Sequence, residues 1–186
     1  MTAPGDAHEN LHDDASRRGT AVARDCDRAF VRLHEGLLHY RHAGPGSGAA
    51  LPLWMMHASP ASSRSVEPLA LELANRHGRR VFAPDTPGFG DSAPLAQSEP
   101  AMADYADAML RALDALRLER VDLYGFHTGA HIAIEMALAR PERIGALVLD
   151  GLLWLEDDER EAYLTQYAPP LLLDANGTQV FTALQF

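Results

Sequence analysis

Three observations in the sequence predict an α/β fold with a mostly parallel sheet. Two short alternating segments, RAFVRLHE and LLHYRHAG, meet at Glu35-Gly36 and read as an opening antiparallel hairpin. LPLWMMHA, from Leu51 to Ala58, is a continuous apolar run, the mark of a strand buried on both faces. Beyond it, strand-like and helix-like stretches alternate, and such alternation makes crossovers that place helices on both faces of a sheet.

The elements follow in order. Residues Met1 to Asp27 carry almost no large apolar side chains and read as a flexible tail. His8 and His12 within it are solvated histidines with no more than an opportunistic capacity for metal. GPGSGAA is a loop ahead of LPLWMMHA. Ser62 to His77 has helical spacing, with Val66, Leu69, Leu73 and Ala74 on one side, and Gly78 stops it. RRVFAPD is a further strand that runs into the turn-rich TPGFGDSAP. Pro100 to Leu118 is an amphipathic helix whose apolar stripe is Met102, Tyr105, Met109, Leu113 and Leu116. ERVDLYGF is the next strand. The helix after it keeps Gly129, Ala130, Ala133 and Ala137 at spacings of three and four, which lets it lie close against a sheet. Pro141 ends that helix, and IGALVLDG reads as another buried strand.

Composition narrows the function. The 186 residues suit one domain with a proper core, and the 47% apolar content is that of a folding chain. A formal charge of −10 argues against nucleic acid or anionic membrane as a partner, since both reward basic patches. The single cysteine, Cys26, forbids an intrachain disulfide; in its polar, mobile surroundings it suggests no catalytic thiol. No apolar run is long enough to span a bilayer, and the N-terminus lacks the apolar core of a signal peptide, so a cytoplasmic location is expected. Neither a Gly-x-Gly-x-x-Gly fingerprint nor a Gly-x-x-x-x-Gly-Lys loop is present, so no cofactor is expected.

In open α/β sheets, ligands bind beyond the carboxyl ends of the strands. Three segments meet there: MMHASPASS, DTPGFGDS and GFHTG. With the hairpin before them and ARPERIGALVLDG after, their order and spacing resemble the α/β-hydrolase superfamily from about Arg28 to Leu155. In that family GFHTG corresponds to the Gly-x-Ser-x-Gly nucleophile elbow, with His127 where the serine stands. Ala58 replaces the glycine that usually follows the histidine of the first motif, a mild departure.

The resemblance implies site residues. The elbow would project His127 into a pocket above a helix N-terminus, a place that favours an anionic or oxyanion-bearing ligand. The Ser59 and Thr128 amides would form the oxyanion hole. His127 has three readings: a nucleophile, a general base for water, or a ring filling the pocket of a protein without catalysis. The Thr128 hydroxyl is expected to cap backbone at the helix start rather than attack substrate. His127, His131 and His57 also allow a zinc reading, but the glutamate of His-Glu-x-x-His is absent and the elbow turns residue 127 out of the helix. No metal is therefore expected; His57 is expected to satisfy hydrogen bonds in its loop, and His131 to pack along the helix.

The family's order is nucleophile, acid, histidine. Asp150, at the end of the sixth strand, is the candidate acid, although an aspartate beside glycine often only makes a turn. No histidine follows it. The resemblance therefore implies a truncated α/β-hydrolase fold in three parts: tail 1–27, incomplete core 28–155, and the start of a cap-like excursion at 156–186. The sixth strand would be left as an open edge, which invites self-association through pairing with other chains or makes the fold depend on a missing half. Two functions follow as expectations. One is hydrolysis of an ester, amide or similar carbonyl bond in a small-molecule substrate, impaired in this chain. The other is binding of a small ligand or partner without catalysis.

Overall fold

The computed structural model describes residues 23–46 and 49–167. The chain divides into two units, 1–152 and 153–186. In the first, six strands form one sheet: β1 (Asp27–Arg32), β2 (Leu37–Ala43), β3 (Leu53–Met56), β4 (Val81–Pro84), β5 (Val121–Phe126) and β6 (Ile144–Asp150). Their order is β1-β2-β4-β3-β5-β6. β1 and β2 form the expected antiparallel hairpin, β2 lies antiparallel to β4, and β4, β3, β5 and β6 run parallel. From β3 the chain moves outward to β4, then returns across β3 to β5. The strand ends carrying the three candidate loops are thus neighbours, at the place where the order reverses.

Strand alternation divides the core into two layers. Trp54 and Met56 of β3 join Phe82, Val121, Leu123, Met109, Leu113, Ile132 and Met136 on one face. Met55, one residue out of phase, joins Val81, Ala83, Val66, Ala70 and Ala74 on the other. α1 (Glu67–His77) covers this second face, while α2 (Met102–Ala115) and α3 (Thr128–Ala139) cover the first. Each large side chain in these layers is worth about 1.5–3 kcal/mol of hydrophobic stabilisation when fully buried.

Helix ends follow local chemistry. A short 3-10 turn, Ser63–Val66, leads into α1, and Gly78 stops α1 in the left-handed region at φ 58°. At the start of α2 the Asp104 carboxylate accepts the Ala101 N–H at 2.7 Å. Two expected core positions lie outside: Leu69 is 40% exposed and Met102 39%. Small residues do the close packing instead, Ala70 and Ala74 on α1 and Ala106, Ala108 and Ala112 on α2.

Two further expectations are corrected. Cys26 is buried beside α1, not in mobile surroundings: its N–H donates to Glu67 Oε1 at 3.0 Å, and Arg41 donates to the same oxygen at 3.1 Å. Burial, with the Glu67 charge, pushes its thiol up to about 11, so it has little nucleophilic thiolate at neutral pH. β6 pairs with β5 as expected, but it is not a buried strand. Leu147 is 38% exposed and Val148 52%, and among the described residues no strand pairs with the outer edge of β6. With β5 as its one strand partner among the described residues, this apolar strand keeps these side chains in solvent.

In the second unit, α4 (Asp157–Tyr167) is a polar helix. Among the described residues, no helix is long and apolar enough to cross a membrane. Of the tail, residues 1–22 with His8 and His12 lie outside the described residues, as does 168–186.

Candidate active site

The strand-to-helix turn between β5 and α3, the segment expected to form an elbow, is a tight turn centred on His127. His127 sits at φ 48° and ψ −111°; among the described residues it shares a positive φ only with Arg117 outside the glycines. A β-carbon costs roughly 1–3 kcal/mol in such backbone, so the conformation is held by its surroundings. The flanking glycines supply that hold. A Cβ on Gly125 would lie 2.4 Å from the Gly129 carbonyl oxygen, and one on Gly129 would lie 2.4 Å from that of Met56. Both glycines are there so that β5, the first turn of α3 and the end of β3 can touch.

A main-chain bond from His127 N–H to the Asp150 carbonyl, 2.8 Å, ties the turn to the end of β6. The exposed imidazole stands edge-on to Phe126, with ring centroids 4.5 Å apart. It also lies over Gly151, where a Cβ would be only 2.9 Å from Nε2. Gly151 has φ 64°. The ring thus leans toward the β6 side of the elbow.

Ser59 and Thr128 face each other across the other side. The Ser59 N–H donates to Thr128 Oγ1 at 3.3 Å. The threonine hydroxyl, expected to bond backbone rather than attack substrate, does so across the turn, to the β3 loop rather than within its own helix start. The Thr128 N–H, at the first position of α3, is among the donors that helical bonding leaves unpaired.

His57 fixes the β3 loop from within. It is fully buried; Nδ1 lies 2.8 Å from the Ala58 carbonyl oxygen, and Nε2 accepts the Thr86 N–H at 3.0 Å. These partners define the tautomer, with the proton on Nδ1. Burial lowers its pKa from the ordinary 6.5. The expected loop role is therefore the observed one, and neither nitrogen is free for a metal shared with His127 and His131.

A buried polar cluster under the DTPGFGDS turn was not visible as a unit in the sequence. Asp85 accepts from the Ser63 N–H at 2.6 Å, the Asp91 N–H at 2.9 Å and His39 Nδ1 at 2.8 Å. Ser92 Oγ accepts the His39 N–H and donates to the Asp85 carbonyl. Burial alone would raise the Asp85 carboxyl, but the bonds from Ser63, Asp91 and His39 outweigh it and hold the pKa low. His39, Asp85 and Asp91 bring possible metal ligands within 4.8 Å of one another. Arg28 occupies that role: its Nε donates to His39 Nε2 and its Nη2 pairs with Asp91. The cluster is a clasp on the turn. Its signal was Asp85 and Ser92 themselves, but His39 and Arg28 come from the hairpin, far away in sequence.

Asp150 lies at the end of β6 as expected, with an exposed carboxylate. Its Oδ2 accepts the Tyr124 hydroxyl at 2.6 Å. Burial, then this bond and the Asp150 charge, push the Tyr124 phenol up to about 12.

Comparison with known proteins is consistent with this geometry. A family model described as alpha/beta hydrolase fold matches residues 52–183. A 2-hydroxy-6-oxononadienedioate/2-hydroxy-6-oxononatrienedioate hydrolase of Paraburkholderia xenovorans LB400 is 36% identical over 143 residues, 71% of this chain and 47% of that protein. A 2-hydroxymuconate semialdehyde hydrolase of Pseudomonas sp. CF600 is 41% identical over 144 residues, 74% and 46% of the two chains. The crystal structure of a hypothetical protein, PA1622 from Pseudomonas aeruginosa PAO1, superposes with TM-score 0.63 at 26% identity, covering 85% of this chain and 58% of that one. The chain spans about half the length of the curated relatives it matches.

Proposed function

Because the chain belongs to the α/β-hydrolase fold family, we propose that it serves hydrolysis at a carbonyl group of a small molecule, with the elbow at His127 as its active turn. The observation that carries this reading is the backbone of His127, a non-glycine residue kept at φ 48° between β5 and α3. Strain of this kind is retained where a side chain has to be presented. The substrate class is an ester, an amide or a 2-hydroxy-6-oxo acid like those in the names of the relatives.

In this reading His127 is a general base. Its imidazole takes a proton from water, the hydroxide adds to the carbonyl carbon, and the resulting oxyanion is held by the Ser59 and Thr128 amides. On collapse the imidazolium returns the proton to the leaving group. Asp150 contributes through its carbonyl, which anchors the His127 N–H, while its carboxylate is engaged by Tyr124.

A second reading, ligand binding without turnover, is favoured by the lean of the His127 ring over Gly151, on the side of the elbow away from Ser59. Hydrolysis of a short-chain aryl ester and of a 2-hydroxy-6-oxo dienoate separates the two, measured for the protein and for His127→Ala with folding checked by circular dichroism. Turnover lost only in the variant supports the base role. Saturable binding without product supports the second reading and contradicts the first.

The acidic balance and single cysteine support a cytoplasmic setting for this chemistry, which cell fractionation tests. The exposed residues of β6, and an outer edge that no strand pairs with among the described residues, support self-association there. A monomeric mass by light scattering at all concentrations would contradict it.

A further inference from the structure

The Ser59 N–H is the donor on the β3 side of the elbow, and it already has an acceptor, Thr128 Oγ1 at 3.3 Å. We propose that the Thr128 hydroxyl occupies the place at the Ser59 N–H that a ligand's oxyanion would take and must turn away before an anion can bind, so that Thr128 sets the affinity and selectivity of this position. The inference rests on the reading of the elbow as the site and assigns a role to a side chain that the reading leaves idle.

The rest of the loop makes the donor's position independent of Thr128. His57 is anchored at both nitrogens, to Ala58 on its own loop and to Thr86 beyond β4. The adjoining turn is bound in the same way: the Ala61 N–H donates to the Ala58 carbonyl at 2.9 Å, and the Ser63 N–H to Asp85 at 2.6 Å. With the loop held from below, a bond from Ser59 to Thr128 is not needed to place the amide.

The length of that bond points the same way. At 3.3 Å between neutral groups, and exposed, it is at the weak end of the hydrogen-bond range. A charged oxygen at the same amide would make a shorter, charge-assisted bond roughly twice as strong. An anion can therefore displace the hydroxyl, whereas a neutral carbonyl oxygen gains little by doing so. The device favours charge, and in a hydrolytic step charge appears on the oxygen only as the tetrahedral species forms. Rotation about χ1 suffices to vacate the position, since threonine at a helix start has two accessible rotamers.

The test follows the Ser59 amide by 15N–1H spectroscopy while methylphosphonate, a small tetrahedral anion, is added to the protein, to Thr128→Val and to Thr128→Ser. Valine keeps the branched shape without an acceptor; serine keeps the acceptor. The expected result is a shift of the ligand-free Ser59 amide in the valine variant only, with methylphosphonate bound about two- to tenfold more tightly there. That is the gain when one neutral hydrogen bond no longer has to be broken. Equal or weaker binding by the valine variant, with Ser59 still responding in the parent protein, overturns the gate and leaves the site reading intact. No response at Ser59 in any of the three proteins overturns both.

Discussion

The His127 ring lies over Gly151, with Nε2 only 2.9 Å from the point where a Cβ would stand. The first residue beyond β6 therefore decides where the side chain at the centre of the elbow rests. Gly151→Ala adds that Cβ and places it at φ 64°, where an L side chain costs about 1–2 kcal/mol. The expected outcome is a fall of that size in unfolding free energy by urea titration, with a displaced His127 ring seen as changed imidazole shifts. An unmoved ring would contradict the contact.

The glycines of the elbow are less forgiving. A Cβ on Gly125 or Gly129 would meet backbone carbonyl oxygens at 2.4 Å, and backbone in a packed core cannot step aside as a side chain can. Gly125→Ala and Gly129→Ala should each cost at least about 3 kcal/mol, more than Gly151→Ala. Equal costs for the three variants would show that the elbow is looser than its distances imply.

His57 gives the fold an acid-sensitive term. Its folded-state pKa lies below the ordinary 6.5, so its contribution is complete above pH 6.5. It is lost as the pH falls toward the folded value, because the unfolded chain takes up a proton that the buried ring refuses. Asp85, also depressed, adds a second loss of the same sign below its ordinary 3.8. Unfolding free energy measured against pH should decline below 6.5, and His57→Gln should remove that first decline while leaving the one near pH 3.8. A flat profile from pH 7 to 5 in the parent protein would contradict the buried neutral ring.

Tyr124 makes the opposite prediction at high pH. Burial, then the bond to Asp150, raises its phenol to about 12, so the stability that depends on the protonated ring is complete below 10 and is lost as the pH rises through 12. Absorbance titration should show one tyrosine ionising near 12, absent in Tyr124→Phe, with a stability cost at pH 7 of about 0.5–1.5 kcal/mol. Ionisation of every tyrosine near 10 would contradict both the burial of Tyr124 and its bond to Asp150.

Much of this was legible in the chain because it is written in local signals. The hairpin at Glu35-Gly36, the apolar run ending in Met56, the stop at Gly78 and the glycine spacing around His127 each depend on a few adjacent residues. What the sequence hid lies in contacts between distant ones. Cys26 sits among polar neighbours, and only Glu67 and Arg41, brought over by α1 and β2, bury it. His39 and Arg28 belong to the hairpin, but they clasp a turn 46 and 63 residues away. Leu69 fits the helical spacing, yet Ala70 and Ala74 are the buried positions of α1, with Leu71 and Leu73 packed at the margin of the same cluster. β6 reads as buried because its residues are apolar, but burial depends on what pairs with its outer edge, and that is not a property of the strand. The bond between Ser59 and Thr128 is a further case: each residue is expected in the site for its amide, and nothing local in the chain shows that the hydroxyl of one meets the amide of the other.

The central claim is that His127 is kept in strained backbone for the sake of its side chain. His127→Gly tests it most directly, with unfolding free energy and aryl ester hydrolysis measured on the same preparation. Glycine accepts φ 48° without strain, so the variant should be more stable than the parent by about 1 kcal/mol and without turnover. A variant no more stable than the parent, or one that still hydrolyses the ester at the parent rate, would contradict it.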